Sequence, residues 1–270
     1  MKHKTITLLI TLALCLSASA RKGILVAQFG TSNAEGRHAA LDVLFGEIAS
    51  ENPQYTVREA YTSPTIRRAL QKQGTKKQSV TDALLQMHLD GIDTVYIQPT
   101  FLLDGVEMQM LREEASDVSR FFSYVQVGVP LLYEIEDFRN LTSLLAKTKP
   151  NTRSAIMYVG HGNEYASTSA YAMLGQMLSH EQPDAYIGTI EGWPDIETSV
   201  AQLKGRKYRQ VTLIPLLLAC GVHAHEDIDE EWRPALEELG LKVDVLFQGL
   251  GESAEIRALI KNHLASLLAE

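Results

Sequence analysis

The sequence predicts an α/β protein of two similar domains, each a four-stranded parallel sheet flanked by helices, related by internal duplication. Three observations predict it. Short, continuous apolar runs alternate with amphipathic stretches along the whole chain, and continuous runs rich in Val, Ile and Leu are the mark of parallel strands covered on both faces. Landmarks then recur at nearly constant spacing. Pro99 and Pro215, Gly105 and Gly221, and Glu107 and His223 each lie 116 residues apart, Pro64 and Pro194 lie 130 apart, and Phe29 and His161 lie 132 apart. Finally, residues 147–151, which include Pro150, form a natural joint between the two series.

Strands are expected at 23–29, 55–61, 94–101 and 125–132 in the first half. Their counterparts are 154–159, 185–190, 210–218 and 242–248. Amphipathic helices are expected around 37–50, 80–89, 106–121, 137–147 and 228–239. The closing stretch, 252–268, carries acids early, a basic residue late and Leu and Ile at helical spacing. Pro64 and Pro194 each follow the second strand of their half, where proline suits the first turn of a helix. The offset falls from 130 to 116 because an extra helix is expected around 76–89 in the first half alone. The domains are therefore drawn as 21–149 and 150–270.

Residues 1–20 read as an export signal. Lys2, His3 and Lys4 form a positive head, residues 6–16 an apolar core, and Ala18-Ser-Ala20 a cleavage site. The apolar core is short of the roughly 20 residues that span a bilayer. The mature protein is expected to begin at Arg21 and to be exported to the periplasm. A lipid on Cys15 is the alternative, although Leu14 is bulky for that processing. Without Lys2 and Lys4, 23 basic side chains face 33 acidic ones. A surface that acidic, with no basic tract, excludes nucleic acid as a partner and mildly attracts cations. Cys220 is then the single cysteine, so no internal disulfide can form, and about 250 residues must rely on their core. A homo-oligomer remains open.

The chemistry is expected at the carboxyl ends of the strands, where open α/β sheets place their sites. The run Ile214-Pro-Leu-Leu-Leu-Ala-Cys-Gly-Val-His223 carries one imidazole there, and Tyr158-Val-Gly-His161-Gly-Asn carries another. The duplication sets Glu107 opposite His223 and Phe29 opposite His161. The second half adds Glu191 and Trp193 after its second strand. Two imidazoles and a carboxylate suit Co, Fe, Ni or Zn with open coordination positions. Bland alternatives exist for each residue. His161 could occupy a tolerant Gly-His-Gly turn, and Glu191 could be an acid favoured at a helix start. Cys220, three residues before His223, reads better as a buried small side chain than as a thiolate ligand. His225 is expected to be exposed, His88, His180 and His263 to lie on the surface, and Met87, Met108, Met110, Met173 and Met177 to pack the core.

A broader pattern runs in order through nearly the whole mature chain. It comprises Phe29-Gly-Thr31-Ser, Thr62-Ser, Gln98-Pro, Gly105-Val-Glu107, Gly160-His-Gly162, Gly188-Thr-Ile-Glu-Gly-Trp-Pro194, Pro215-Leu-Leu-Leu, Gly221-Val-His-Ala224 and Gly249-Leu-Gly-Glu252. In these motifs the sequence resembles the anaerobic cobalt chelatases, class II chelatases that insert Co2+ into sirohydrochlorin during early-insertion cobalamin synthesis. The resemblance implies that His161, Glu191 and His223 bind the metal, that His161 accepts a pyrrole proton, and that Glu107 lines the cleft near the incoming ion. It implies a tetrapyrrole cleft walled by Phe29, Gly30, Thr31, Phe101 and Trp193, with no permanent cofactor and with Co2+, or Fe2+ or Ni2+, as substrate metal. Three positions depart from the family pattern. Val222 replaces an acid beside the ligand, Phe101 replaces a cleft histidine, and Glu226-Asp227 replaces Asn-Asp. Two rival functions follow. A haem- or metalloporphyrin-binding protein of iron acquisition, able to remove the metal, would exploit Phe29, Phe101 and Trp193 as an apolar wall. A plain metal carrier would enclose its ion with four protein ligands.

Overall fold

The computed structural model describes residues 21–221 and 226–269; residues 1–20, His223 and His225 lie outside the described residues. The first sheet comprises β1 (Lys22–Gln28), β2 (Thr56–Tyr61), β3 (Thr94–Pro99) and β4 (Tyr124–Val127), in the order β2-β1-β3-β4. The second comprises β5 (Ser154–Gly162), β6 (Ala185–Glu191), β7 (Gln210–Pro215) and β8 (Lys242–Val245), in the order β6-β5-β7-β8. Every pairing is parallel. The identical order is the duplication expressed as topology.

Four strands, β3, β4, β7 and β8, stop earlier than their apolar runs. β3 and β7 close on Pro99 and Pro215, and Gly128 and Pro130 follow β4; a proline has no N–H to continue a ladder. One more bond follows at two of these ends, Thr100 N–H to Ala27 O at 2.9 Å and Leu216 N–H to Val159 O at 2.7 Å, and then the chain leaves the sheet. β7 thus ends eight positions before His223 in the sequence.

After β1 the chain passes through α1 (Ala34–Gly36) and a π-helical turn (Arg37–Asp42) into α2 (Val43–Glu51). Between β2 and β3 lie α3 (Pro64–Lys72) and α4 (Val80–Leu89), capped by the Ser63 and Ser79 hydroxyls. The matching connection in the second half holds one helix of comparable length, α8 (Ile196–Leu203), which explains the change of offset. Pro64 opens its helix as expected. Pro194 does not: Asp195 caps α8, and the Pro194 carbonyl accepts the Thr189 N–H at 2.8 Å. α5 (Val106–Val118) and α7 (Ser169–Glu181) complete the helices near the site. A second π-helical turn, Ile228–Trp232, leads into α9 (Arg233–Glu237). Among the described residues no helix is long and apolar enough to cross a membrane.

The last helix of each half crosses to the other. α6 (Ile135–Leu145) follows β4 yet packs on α7, and the Tyr158 hydroxyl of β5 donates to Leu145 O at 2.8 Å. α10 (Ala254–Ala269) follows β8 yet packs on β3 of the first sheet, with a Leu267 methyl against Gly128. One apolar core consequently runs through both halves, from Ile24, Val26 and Leu44 to Ile156, Tyr158, Leu174 and Leu264. The joint at 147–151 separates the sheets but not the helices. Charged groups reinforce the crossing. Arg257 Nε and Nη2 both donate to Glu47 Oε1, at 3.0 and 2.8 Å, while Lys261 Nζ reaches Glu47 and Glu51 at 3.1 and 2.6 Å. His263, expected on the surface, is instead tucked against Asp137 at 2.8 Å, because α10 lies over the capped start of α6. Met110 is 47% exposed and does not join the core, whereas Met87 and Met108 are fully buried.

The Arg257 guanidinium, followed by the Lys261 ammonium, holds the Glu47 carboxyl below its ordinary value of 4.5. A depressed carboxylate stabilises the fold above that value and ceases to do so as pH falls through its folded pKa. Glu47→Gln is expected to lower stability by about 1–2 kcal/mol at pH 7, as befits charged hydrogen bonds. Thermal melts should show the gap to wild type closing below about pH 4; an equal gap at both pH values would refute the assignment.

Candidate functional site

β5 is the longest strand, and its extra length is what presents His161. Gly160 pairs with Thr189 and Gly162 with Glu191, so the ladder to β6 continues past the histidine. Both glycines are required by their neighbours. A β-carbon at Gly160 would lie 2.2 Å from the Tyr171 ring, and one at Gly162 would lie 1.8 Å from the Glu191 carbonyl oxygen. Gly162 also has φ +74, a conformation that L side chains rarely adopt. A tolerant turn is thus replaced by a tightly packed strand tip from which the imidazole alone projects, exposed, between two buried glycines. His161 Nδ1 lies 3.0 Å from the Gly162 carbonyl oxygen. That oxygen can only accept, so we assign the hydrogen to Nδ1; in the neutral ring Nε2 then keeps its lone pair. Glu191, also exposed, ends β6 on the adjoining strand.

The first half meets this tip at Gly105, the N-cap of α5. A β-carbon there would lie 3.3 Å from Ser167 Oγ, 3.5 Å from Asn163 Nδ2 and 3.5 Å from Glu107 Oε2. The Glu107 carboxylate, half-buried in the first turn of α5, therefore gathers at the same point as the turn that follows His161. Asn163 Oδ1 holds that turn by accepting the Tyr165 N–H at 2.8 Å and the Ser167 hydroxyl at 3.2 Å. Burial raises the Tyr171 hydroxyl to about 12, the nearby main chain at Gly162 and His161 opposing the rise and the Glu107 charge adding to it. Glu107 and the His161 tip thus flank one buried tyrosine.

The rim continues from both halves. Trp193 is 51% exposed, and a β-carbon at the preceding Gly192 would lie 2.3 Å from the Asn163 carbonyl oxygen. Phe29, at the exit of β1, is 48% exposed. Gly30 (φ +94) seats the Tyr61 ring, 2.3 Å from where a β-carbon would be. Thr31 is buried and turns its hydroxyl inward to accept the Asn33 N–H at 3.2 Å, so it shapes the wall without offering surface. The tail after β7 rests on this connection: a β-carbon at Gly36 would lie 2.4 Å from the Cys220 carbonyl oxygen, and one at Gly221 3.3 Å from Thr31 Oγ1. Residues leading to His223 hence leave from the first half's edge of the site.

Two readings need correction or closure. Phe101 is only 7% exposed and packs with Met108 and Leu111 beneath the site, so it offers the cleft almost no surface. Its apolar ring is drawn into the core. Cys220 is buried, as expected of a small side chain closing an apolar run, and burial, followed by the Glu252 charge, pushes its thiol up to about 12. Among the described residues no three His, Cys, Asp or Glu side chains are grouped to hold an ion, and the ligand set implied for His161 and Glu191 requires His223, which lies outside them. Sequence reasoning overlooked Tyr171, Asn163 and Ser167. The signal available was the pair of glycines about His161, each of which demands a close neighbour.

A sequence profile of the cobalt chelatases (CbiK) matches residues 22–269. The chain is 28% identical over 255 residues to the sirohydrochlorin cobaltochelatase of Salmonella typhimurium, covering 92% of this chain and 97% of that protein. It is 30% identical over 259 residues to the sirohydrochlorin cobaltochelatase CbiKC of Nitratidesulfovibrio vulgaris, covering 92% and 91%. Among solved structures, SirB from Bacillus subtilis with Fe3+ superposes with a TM-score of 0.65 at 12% identity, covering 92% of this chain and 96% of that one. CbiX, described as the terminal enzyme of sirohaem biosynthesis in denitrifying bacteria, gives 0.56 at 18%, covering 90% and 98%. At such identities the two structures speak for the fold alone. The profile match over almost every described residue, together with the relative at 30% identity, makes this chain a member of the cobalt chelatase family.

Proposed function

We propose that this protein is a metal chelatase that inserts a divalent cation, Co2+ foremost, into sirohydrochlorin, a step of cobalamin-type tetrapyrrole synthesis. Family membership and the two sirohydrochlorin cobaltochelatases it is similar to support the reaction class. The single observation that carries the chemistry is the His161 tip, where a peptide carbonyl occupies Nδ1 and frees Nε2 toward solvent. Insertion requires the macrocycle to surrender two pyrrole protons as the cation arrives. A neutral imidazole with a free lone pair serves either as a ligand or as a proton acceptor. His161, Glu191 and His223 are the proposed ligands, with the metal passing through as substrate. Imidazole and carboxylate bind Fe2+ and Ni2+ as well as Co2+, so the ligand set alone does not restrict the ion. Glu107 sits in the first turn of α5, where the helix dipole favours a carboxylate, and its negative charge draws the cation toward the tip. Phe29 and Trp193 supply exposed aromatic surface for a flat ring.

Of the apolar wall on which the haem-binding alternative leaned, Phe101 is buried, while Phe29 and Trp193 stay exposed and serve a flat ring in either reading. Export remains part of the proposal, resting on the charged head, apolar core and small-residue site of residues 1–20.

Purified protein mixed with sirohydrochlorin and Co2+ is expected to convert the absorbance of the free macrocycle to that of the metallated one. His161→Ala should slow this about 10²- to 10⁴-fold, the usual contribution of a positioned proton acceptor. Glu191→Ala should weaken Co2+ binding in a direct titration. Unchanged rates in His161→Ala, or no spectral conversion by wild type with Co2+, Fe2+ or Ni2+, would overturn the reading. Fractionation of expressing cells should recover a periplasmic form whose mass begins at Arg21; full-length protein confined to the cytoplasm would end the export proposal.

A further inference from the structure

The residue two places beyond each strand tip repeats one arrangement across the duplication. In the second half it is Asn163, two after His161; in the first it is Thr31, two after Phe29 and 132 positions earlier. Each turns a side-chain oxygen back on its own chain. Asn163 Oδ1 accepts the Tyr165 N–H at 2.8 Å, and Thr31 Oγ1 accepts the Asn33 N–H at 3.2 Å. Both close a local turn of the kind that short polar side chains favour. Each also abuts a glycine of the opposite half. A β-carbon at Gly105 would lie 3.5 Å from Asn163 Nδ2, and one at Gly221 would lie 3.3 Å from Thr31 Oγ1.

Those two glycines are themselves a duplicated pair, 116 positions apart. Each precedes by two residues a group that the proposed reaction uses, Glu107 after Gly105 and His223 after Gly221. The two contacts are therefore counterparts: the turn after one half's tip bears on the approach to the other half's functional side chain. The tips differ, Phe29 against His161, and so do the side chains that follow, Thr against Asn. What both halves keep is a short polar group, held by its own turn and facing a residue without a side chain. A group already fixed by a local bond loses little further freedom on making such a contact, so it acts as a rigid stop. Asn163 reaches further still. Its Oδ1 also accepts the Ser167 hydroxyl at 3.2 Å, and its carbonyl oxygen lies 2.3 Å from where a β-carbon at Gly192, next to Glu191, would be.

We propose that Asn163 and Thr31 are paired positioning residues, a crossed clasp in which the turn after each strand tip holds the segment of the opposite half that leads to Glu107 or His223. Neither acts on the reacting atoms; each works through the glycine it faces. Asn163 sets the Glu107 carboxylate against the His161 tip, and Thr31 sets the point from which the chain runs on to His223. The inference rests on the chelatase reading for its kinetic readout, while Co2+ binding tests it without a macrocycle.

The test uses the full chain. Thr31→Val keeps the branched shape and removes the hydroxyl. Titrated with Co2+ alone, it should show a shifted visible spectrum of the bound ion and an about tenfold higher dissociation constant, the low end for a residue that supports a metal ligand. Thr31→Ser, which retains the hydroxyl, should keep the wild-type spectrum. Asn163→Ala should lower kcat for insertion about tenfold while the KM for sirohydrochlorin stays within about twofold, the split expected when geometry rather than binding is lost. Asn163→Thr, which installs the side chain of the first half, should recover most of that rate. Combined with Glu107→Gln, the Asn163→Ala loss should be clearly less than the product of the two single losses, as for residues acting through one geometry. Should either deletion fail to fold, Gly221→Ala and Gly105→Ala crowd the same two contacts and should give the same spectral shift and the same fall in kcat. A wild-type Co2+ spectrum in Thr31→Val, a wild-type kcat in Asn163→Ala, or conservative variants as impaired as the deletions would each overturn the clasp. Wild-type protein that binds Co2+ but never metallates sirohydrochlorin would overturn the chelatase reading, and the clasp would then stand or fall on the Co2+ spectra of the Thr31 variants.

Discussion

Exchange of the two terminal helices is the constraint on which the rest of the molecule depends. Each sheet leaves one face to be covered by a helix from the opposite half, α6 over the second and α10 over the first. The apolar groups on those faces therefore merge into one continuous core. Neither half can bury its own surface without the other, and large buried apolar area is the dominant favourable contribution to folding. Arg257, Lys261 and His263 add direction to that burial. Their partners Glu47, Glu51 and Asp137 all belong to the first half, so α10 has one register in which its charges are satisfied.

That locking has a consequence at the opposite end of the strands. With the sheets held by their helices, the start of α5 is pressed onto the turn following β5, and Gly105 is the residue small enough for the approach. The site is consequently built on strand tips and a helix start, elements whose positions the shared core dictates. A reaction that requires a cation, a carboxylate and an imidazole to keep their mutual distances benefits from such a frame, because misplacement by about 1 Å can cost two orders of magnitude in rate. Close backbone approaches lie here too. Gly162 on the Glu191 carbonyl and Gly160 on the Tyr171 ring leave the tip no room to shift. The two π-helical turns flank the same region, one after the β1 exit and one after the tail of β7, as such turns often do near functional sites.

Much of this was legible in the chain, and the reasons are physical. Parallel strands buried on both faces must be continuous apolar runs, so all eight could be found and their duplicated order inferred from prolines and glycines held at constant offset. Strand ends were less legible. Apolar runs continue past Pro99 and Pro215 because the tails are themselves buried, as Leu216 is, and hydrophobicity does not distinguish a strand from a packed tail. α7 was overlooked since Gly175 sits in its middle and weakens any propensity signal. The helix exchange left no local trace: an amphipathic stripe does not name the sheet it will cover. Phe101 illustrates the same blindness within the site, for a ring near a strand exit can turn to the cleft or to the core, and Met108 and Leu111 took it inward. His161 was found for its chemistry, but the need for both flanking glycines emerges only once β6 and Tyr171 are in place.

The divergence of the two strand tips says most about how duplication yields a proposed catalyst. A strictly symmetric protein would present the same group from both halves to the two faces of a flat macrocycle. Here one tip offers Phe29, half exposed and apolar, and the other an imidazole with one nitrogen tied and one free. An aromatic face binds a conjugated ring without competing for its protons, whereas the imidazole can take them. The asymmetry gives the proposed reaction a direction: the first half supports the macrocycle through Phe29, joined by Trp193 of the second, and metal and proton are handled at the His161 tip. The acid at Glu107 fits this division, since it belongs to the supporting half but is carried by α5 up to the edge of the histidine tip.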